Sequence, residues 1–206
     1  MGPGKDSRNR ECAATGFLVN QDGYLVTNAH VVEDLQQCLC GVSDGKILAK
    51  LPAPGNTVAR GFACDVVGID EVHDLAVLKM IHPLASASRT FAFLDVQEPA
   101  VGTAVSVTGH PEFAWQPLTQ LGQVVRWDAL RLGQKSAQTT RVLIVDIALR
   151  RGNSGSPVYL KSGGVVGVVV QREGTRRDHS VAISTQHVVE LLGRYGVEWH
   201  AAKRGG

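Results

Sequence analysis

The chain has 206 residues, of which 44% are hydrophobic and 19% charged, and its formal net charge at pH 7 is +2. This length allows one large domain or two small ones, and double β-barrels commonly reach it as a single unit. The small net charge gives no electrostatic reason to expect binding to nucleic acid or to an anionic membrane. No apolar run approaches the roughly 18 residues of a membrane span, so neither partner is expected.

The first half alternates short apolar runs with turn sequences, a pattern that predicts β-strands. Residues 1–10 are polar, with no hydrophobic stretch behind them, and are expected to be flexible and not to form a secretory signal. Asn20-Gln21-Asp22-Gly23 is a hairpin turn signal. Residues 29–34 are expected to form a single helical turn. The strands predicted in this half are residues 11–19, 24–27, 37–42, 46–51, 60–69 and 75–80.

The second half repeats this architecture without an obvious sequence repeat. Residues 82–100 lack a clear period and contain two prolines, so they are interpreted as a linker. Residues 128–140 are interpreted as a surface loop. Thr185 is expected to cap a closing helix over residues 185–195 that Gly196 ends, before a tail at 197–206. The strands predicted in this half are residues 101–108, 119–127, 142–147, 157–160, 165–171 and 180–184.

The four cysteines, Cys12, Cys38, Cys40 and Cys64, all fall in the first half of the chain. Cys38 and Cys40 place two thiols on one face of a predicted strand, and positions of that kind rarely bridge each other. No spaced set of cysteine and histidine resembles a zinc site. We therefore expect free thiols, no metal and no cofactor, and predict a reducing, cytoplasmic location.

A serine stands between two glycines in Arg151-Gly152-Asn153-Ser154-Gly155-Ser156-Pro157, directly before an apolar run. Small neighbours leave the hydroxyl uncovered and let the backbone bend tightly. Such a bend can point the N–H groups of Gly152 and Ser154 the same way, which is the geometry of an oxyanion hole. Because glycine-flanked serines also occur in plain turns, the motif alone fits a β-turn between two strands better than a nucleophile.

Two further residues supply what a serine nucleophile needs. His30 follows one apolar strand and Asp74 precedes another. Each alone has a plainer explanation, as a core histidine and a turn aspartate. A serine hydroxyl requires a base, imidazole suits that task, and a buried carboxylate fixes the imidazole tautomer. The order His30, Asp74, Ser154 is that of chymotrypsin-type proteases. His73 is rejected as the base because neighbouring strand residues face opposite ways.

These motifs resemble those of trypsin-like serine proteases, most closely the HtrA (DegP-like) branch. The residues that match are Thr27-Asn28-Ala29-His30-Val31-Val32, Asp74-Leu75-Ala76-Val77-Leu78-Lys79 and Gly152-Asn153-Ser154-Gly155-Ser156-Pro157. Thr15-Gly16-Phe17-Leu18-Val19 also resembles part of the opening hairpin of that family. The resemblance runs over about residues 11–195.

The resemblance implies an all-β, chymotrypsin-like fold of two six-stranded antiparallel β-barrels with a C-terminal helix. The first barrel is expected at about residues 11–81 and the second at about 100–184, with the active site in the cleft between them. The implied activity is that of a serine endopeptidase. His30 acts as base and then acid, Asp74 orients it, and Gly152, Asn153 and Ser154 form the oxyanion-hole segment. Digestive trypsins carry an aspartate where this chain has Asn153, so activation by a new N-terminal amine is not expected.

The substrate pocket is likewise implied by resemblance, and its predicted walls are apolar or uncharged in the main. We expect a small or medium apolar residue before the scissile bond, although Asp178 lies near the pocket in sequence. The predicted substrate-binding residues are Ala148, Leu149, Val170, Gln171, Arg172 and Ser180. Five nearby arginines are either solvated loop charges or a recognition site for an acidic substrate segment. They are Arg150, Arg151, Arg172, Arg176 and Arg177.

Two alternatives to a plainly active protease stay open. The chain could be a catalytically silent trypsin-fold module that binds or regulates. It could also be a latent enzyme, because HtrA-type proteases often depend on a following PDZ domain and on trimer formation. The chain ends soon after the predicted closing helix, so no PDZ domain is expected. The expected partners are a protein or peptide substrate and an activating protein.

Overall fold

The computed structural model describes residues 4–5, 11–12, 14–37, 42–43, 46–51, 60–82, 91–113, 116–132, 137–174 and 178–203. The strands are β1 (Gly4–Lys5), β2 (Glu11–Cys12), β3 (Phe17–Leu18), β4 (Tyr24–Thr27), β5 (Val42–Ser43), β6 (Lys46–Leu51), β7 (Arg60–Asp70), β8 (Leu75–Met80), β9 (Phe93–Leu94), β10 (Ala104–Gly109), β11 (Leu118–Leu130), β12 (Thr140–Val145), β13 (Pro157–Leu160), β14 (Gly164–Arg172) and β15 (Ser180–Ser184). The helices are α1 (Ala29–Gln37) and α2 (Thr185–Arg194), and a 3₁₀ turn covers Pro111–Phe113. Neither α-helix has the length and apolar character that crossing a membrane requires, and the described residues contain no other such helix.

Strands β1 and β2 form a separate two-stranded sheet, and the six strands from β3 to β8 form one antiparallel sheet in the order β3-β4-β8-β7-β6-β5. Strands β4 and β8 are neighbours, with Thr27 opposite Ala76. Because the two strands are antiparallel, the end of β4 lies beside the start of β8. This register brings His30, just after β4, next to Asp74, just before β8.

The second-half strands close on themselves. They run in the order β13-β10-β11-β12-β15-β14, and β13 also pairs with β14. The result is a closed six-stranded barrel. Among the described residues no pairing of β3 with β5 closes the first sheet, which therefore forms a half-barrel. The predicted all-β, chymotrypsin-like fold with a C-terminal helix is confirmed, in the form of one closed barrel and one half-barrel.

Strand β12 separates two parts of the core. Its residues are buried on both faces, as expected of a strand covered on each side. Val142 and Ile144 join a cluster that includes Leu75 of the half-barrel and Leu191 of α2. Leu143 and Val145 face a second cluster that lies among strands of the closed barrel. The half-barrel, the closed barrel and the closing helix thus share one apolar cluster, and the closed barrel also encloses a second.

Both helices differ in detail from the sequence prediction. The predicted single turn after β4 is the nine-residue helix α1, which includes Gln37, a residue that we had assigned to a strand. Helix α2 begins where expected, but its N-cap is Ser184, whose hydroxyl accepts from the N–H of Gln186. Thr185 instead donates its hydroxyl to the carbonyl of Val165 at 2.9 Å. The left-handed φ of Gly196, 63°, fits the predicted end of the helix.

The predicted linker and tail are partly ordered against the closed barrel. Strand β9, inside the predicted linker, pairs in parallel with β14. The N–H of Leu94 donates to the carbonyl of His200 at 2.8 Å, and Ala202 donates to the carbonyl of Leu94 at 2.9 Å. Strand β11 continues to Leu130, so the predicted loop at 128–140 begins later.

One cysteine side chain is described. Cys64 is free and buried, as expected. Cys38 and Cys40 lie outside the described residues, as does the side chain of Cys12. The prediction about those three thiols therefore stays a prediction.

Candidate active site

His30 and Asp74 form a close pair joined by two hydrogen bonds. The backbone N–H of His30 donates to Oδ1 of Asp74 at 2.9 Å, and Nδ1 of His30 lies 2.7 Å from Oδ2. Asp74 has a left-handed backbone, with φ of 52°, an uncommon conformation for a residue other than glycine. Asn28 steadies that backbone, because its side-chain amide donates to the carbonyl of Asp74 at 3.0 Å. Since carboxylates only accept, Nδ1 of His30 carries the proton and Nε2 is left as the basic nitrogen.

The surroundings of His30 set its proton affinity. Burial lowers the pKa of the imidazole, but the hydrogen bond and negative charge of Asp74, with smaller contributions from Asp34 and Glu33, outweigh burial. The pKa of His30 is therefore raised above its ordinary value of 6.5. An imidazole of this kind is a stronger base than free histidine.

Ser154 lies in a tight turn that two glycines make possible. The N–H of Asn153 donates to the carbonyl of Arg150 at 3.2 Å, and Gly152 has φ of 92°. A four-residue turn with a positive φ at its third residue is of type II, which favours glycine at that position. Gly155, on the other side of the serine, also has a positive φ, 83°.

The peptide groups around Ser154 are fixed through their carbonyl oxygens. The carbonyl of Arg151 accepts from the N–H of Glu112 at 2.6 Å, and the carbonyl of Asn153 accepts from Ser156 at 2.9 Å. In a trans peptide the N–H points opposite to the carbonyl, so these bonds direct the N–H groups of Gly152 and Ser154. Among the described residues neither N–H has a protein acceptor. Two oriented, unpartnered donors beside a nucleophile are what an oxyanion hole requires.

The hydroxyl of Ser154 donates to the carbonyl of Val170 at 3.3 Å. In the described part of the chain, no hydrogen bond joins Ser154 to His30. The site thus holds the base with its carboxylate, and the nucleophile with its donors, while the bond between nucleophile and base is unformed. Catalytic hydrogen bonds commonly tighten only when a substrate is bound.

The predicted pocket residues divide by burial. Leu149 and Val170 are buried, and Ser180 is fully buried with its hydroxyl donating to the carbonyl of Ile147 at 2.7 Å. Ala148 and Gln171 are exposed. The side chain of Arg172 lies outside the described residues.

The charges near this pocket lie at the surface. The side chain of Asp178 is 78% exposed, so it is not a buried acid of the kind that binds lysine or arginine. Arg150 pairs with Glu112 at 2.7 Å, and both side chains are largely exposed. Arg151 is exposed, whereas Arg176 and Arg177 lie outside the described residues. Among the described residues no group of three or more His, Cys, Asp or Glu side chains is arranged to hold a metal ion.

A family model described as the trypsin-like peptidase domain matches residues 14–168. The chain belongs to this family. A protein of Rhizobium meliloti described as a probable periplasmic serine endoprotease, DegP-like, is 36% identical to this chain over 172 residues, which are 81% of this chain and 29% of that protein. The chain spans about a third of the length of the curated relatives that it matches.

Solved structures agree on the fold. The active form of the Rv3671c protease of M. tuberculosis has a TM-score of 0.73 at 20% identity, covering 97% of this chain and 81% of that chain. The HtrA-type protease AlgW with a decapeptide has a TM-score of 0.70 at 21% identity, covering 88% and 51%. The expected similarity to the HtrA branch is confirmed.

Two residues that contact the turn around Ser154 were not singled out from the sequence. Glu112 orients the peptide before Gly152, and Thr15 contacts the turn around Ser154. Glu112 has a left-handed φ of 51°, a conformation that the sequence around Pro111 does not predict. Thr15 belongs to the motif of the opening hairpin, but its partners are far along the chain, so no local pattern indicates its contacts.

Proposed function

We propose that this chain is the catalytic domain of a serine endopeptidase that cleaves protein or peptide substrates through an acyl-enzyme on Ser154. One observation carries the proposal. His30 and Asp74, joined by two hydrogen bonds, occur in the same fold as the turn around Ser154, which presents two oriented N–H groups without a protein acceptor among the described residues. The DegP-like relatives and the decapeptide bound to AlgW support a protein or peptide substrate.

The proposed reaction proceeds in two stages. Nε2 of His30 takes the proton of Ser154 as Oγ attacks the scissile carbonyl, and the N–H groups of Gly152 and Ser154 stabilise the oxyanion. His30 then gives its proton to the leaving amine. Water, activated by the same imidazole, attacks the ester carbon and releases Ser154. Asp74 stabilises the imidazolium in both stages.

The pocket supports a preference for a small or medium apolar residue before the scissile bond. Leu149 and Val170 are apolar and buried, and the hydroxyl of Ser180 is already bonded to Ile147. Asp178 is too exposed to bind a buried cationic side chain. Cleavage profiling on a peptide library tests this, and a preference for lysine or arginine contradicts it.

A resting form is part of the proposal. In it the hydroxyl of Ser154 is bonded to Val170 and must rotate toward His30 before attack. An activating protein or peptide would favour the rotated form by binding it more tightly. A rise in peptidase rate on addition of such a partner supports this part, whereas full activity of the isolated monomer removes it.

The first test is labelling with a fluorophosphonate, which reacts only with an activated serine. We expect the wild-type chain to be labelled and Ser154→Ala to remain unlabelled. Ser162→Ala is the matched control, because Ser162 lies in an exposed turn after β13 and should label as the wild type does. Absence of label in the wild type, with and without added peptides, favours the catalytically silent alternative.

A further inference from the structure

The two halves of the proposed active site lie on different sheets. His30 and Asp74 adjoin the half-barrel, whereas Ser154 precedes β13 of the closed barrel. Proton transfer needs the nucleophile and the base within hydrogen-bond reach of each other. Some contact must therefore set the position of the serine turn relative to the strand that leads to His30.

Thr15, from the half-barrel, makes such a contact through every polar atom it has. Its N–H donates to the carbonyl of Ser154 at 2.9 Å, and its hydroxyl donates to the carbonyl of Gly152 at 2.8 Å. The same hydroxyl accepts from the N–H of His110 at 3.1 Å. The carbonyl of Thr15 accepts from the hydroxyl of Thr27 at 2.8 Å. Thr15 is only 7% exposed, so water cannot easily replace these bonds.

The backbones approach each other closely at this contact. A Cβ atom placed on Gly155 would lie 2.0 Å from the carbonyl oxygen of Thr15 and 2.5 Å from the hydroxyl of Thr27. Gly155 also has φ of 83°, which disfavours any other residue. The absence of a side chain at Gly155 therefore lets Thr15 come close enough to form its hydrogen bonds with Gly152 and Ser154.

The same contact continues to the base. Thr27 is the last residue of β4, three positions before His30, and its hydroxyl is bonded to Thr15. Asn28, the next residue, holds the backbone of Asp74. An unbroken set of hydrogen bonds and short chain segments thus runs from Ser154 through Thr15 to the pair of His30 and Asp74.

We propose that Thr15 is a positioning residue that holds the turn around Ser154, with its oxyanion-hole N–H groups, and sets the distance between Ser154 and His30. This inference rests on the proposed function. Among the described residues Thr15 bonds neither the hydroxyl of Ser154 nor the ring of His30, and it acts through the carbonyl groups of Gly152 and Ser154. Its hydroxyl is the essential group, because it links Gly152 of the turn to His110 of the closed barrel.

Thr15→Val and Thr15→Ser separate this role from ordinary stability. Valine keeps the shape and removes the hydroxyl, whereas serine keeps the hydroxyl. Thr185→Val is the matched control, because the hydroxyl of Thr185 is fully buried and also donates to a backbone carbonyl, that of Val165. Urea unfolding of each variant defines conditions in which all of them are folded.

The first readout is the rate constant of fluorophosphonate labelling. We expect Thr15→Val to lower it by roughly tenfold to hundredfold, the range for loss of one buried hydrogen-bond partner. Thr15→Ser should stay within about threefold of the wild type, and Thr185→Val should lose stability without losing labelling rate. Equal rates for Thr15→Val and the wild type overturn the inference, as does a Thr15→Ser variant as slow as Thr15→Val.

The second readout needs no turnover. Amide hydrogen exchange over residues 150–156 should be faster in Thr15→Val than in the wild type, and unchanged in Thr185→Val. Unchanged exchange in Thr15→Val refutes the positioning role. A wild type that takes no label with or without added peptides refutes the proposed function separately, and the exchange comparison still decides whether Thr15 holds the turn.

Discussion

Asp70 anchors the turn that presents Asp74, and its replacement by asparagine gives a measurable prediction. Oδ1 of Asp70 accepts from the N–H groups of Val72 and His73 at 3.1 and 3.0 Å. Oδ2 contacts the ring of His73 at 3.1 Å and the guanidinium of Arg194 on α2. Burial raises the pKa of Asp70, but the bonds from His73 and Arg194 outweigh it and lower the pKa to about 2.

This pKa fixes the size and the pH dependence of the effect. The pKa of Asp70 falls from the ordinary 3.8 to about 2. Because each tenfold change in proton affinity corresponds to about 1.36 kcal/mol, this change in pKa corresponds to a contribution of about 2.4 kcal/mol to the free energy of unfolding. A carboxyl group with a depressed pKa stabilises the fold fully above its unfolded pKa, and this contribution is lost as pH falls toward the folded pKa. Asp70→Asn should therefore lower the free energy of unfolding by about 2 kcal/mol at pH 7. The difference should shrink below pH 4 and be small at pH 2.

Urea unfolding followed by tryptophan fluorescence at several pH values between 2 and 7 measures this difference. Asp65→Asn is the control, because Asp65 forms an exposed ion pair with Lys46, and loss of this pair should cost less than about 1 kcal/mol. A difference between wild type and Asp70→Asn that stays constant from pH 7 to pH 2 would refute the electrostatic reasoning. A difference below about 0.5 kcal/mol at pH 7 would show that Asp70 does not anchor the turn.

Three further predictions concern the site and the core. Because His30 must be neutral to act as base, the labelling rate should rise with pH through a midpoint above 6.5. Asp74→Asn should lower that midpoint and slow labelling by roughly 10⁴-fold. A midpoint that does not move in Asp74→Asn contradicts the pairing of His30 with Asp74. Gly155→Ala should abolish labelling and lower the melting temperature, because its methyl group would overlap the carbonyl of Thr15; a variant that labels normally contradicts the close approach. Burial raises the pKa of Cys64, so mass spectrometry should find it alkylated by iodoacetamide far more slowly in buffer than in urea, and equal rates contradict its burial.

Much of the fold followed from the sequence because its signals are local. Apolar runs between turn residues marked nearly all the strands, and the resemblance of the motifs around His30, Asp74 and Ser154 to those of trypsin-like proteases implied two packed sheets. The predicted end of the helix at residue 34 was wrong, because residues 35–37 contain no residue that marks a helix end. Helix boundaries also depend on packing more than on propensity. Strand β9 was missed because two residues give no period and their pairing with β14 is set by tertiary contact.

The site was predictable in its residue types but not in its supports. His30, Asp74 and Ser154 stand in recognisable motifs, and the structure brings His30 and Asp74 together as expected. Thr15 and Gly152 are 137 positions apart, so their hydrogen bond leaves no trace in a local pattern. The orientation of the Ser154 hydroxyl is a rotamer choice that composition does not determine. The cytoplasmic location stays a prediction.

The hydrogen bonds between Leu94 and residues 200 and 202 affect where the C-terminal boundary of a shortened version of this domain can be placed. Because both the N–H and the carbonyl of Leu94 bond to residues 200 and 202, this segment covers the edge of β9 that faces away from β14. Truncation after the closing helix would uncover that edge and leave backbone donors and acceptors unpaired. Unpaired strand edges recruit strands from other molecules. A boundary drawn at residue 196 would thus favour aggregation during expression, whereas one drawn after residue 203 keeps the edge covered.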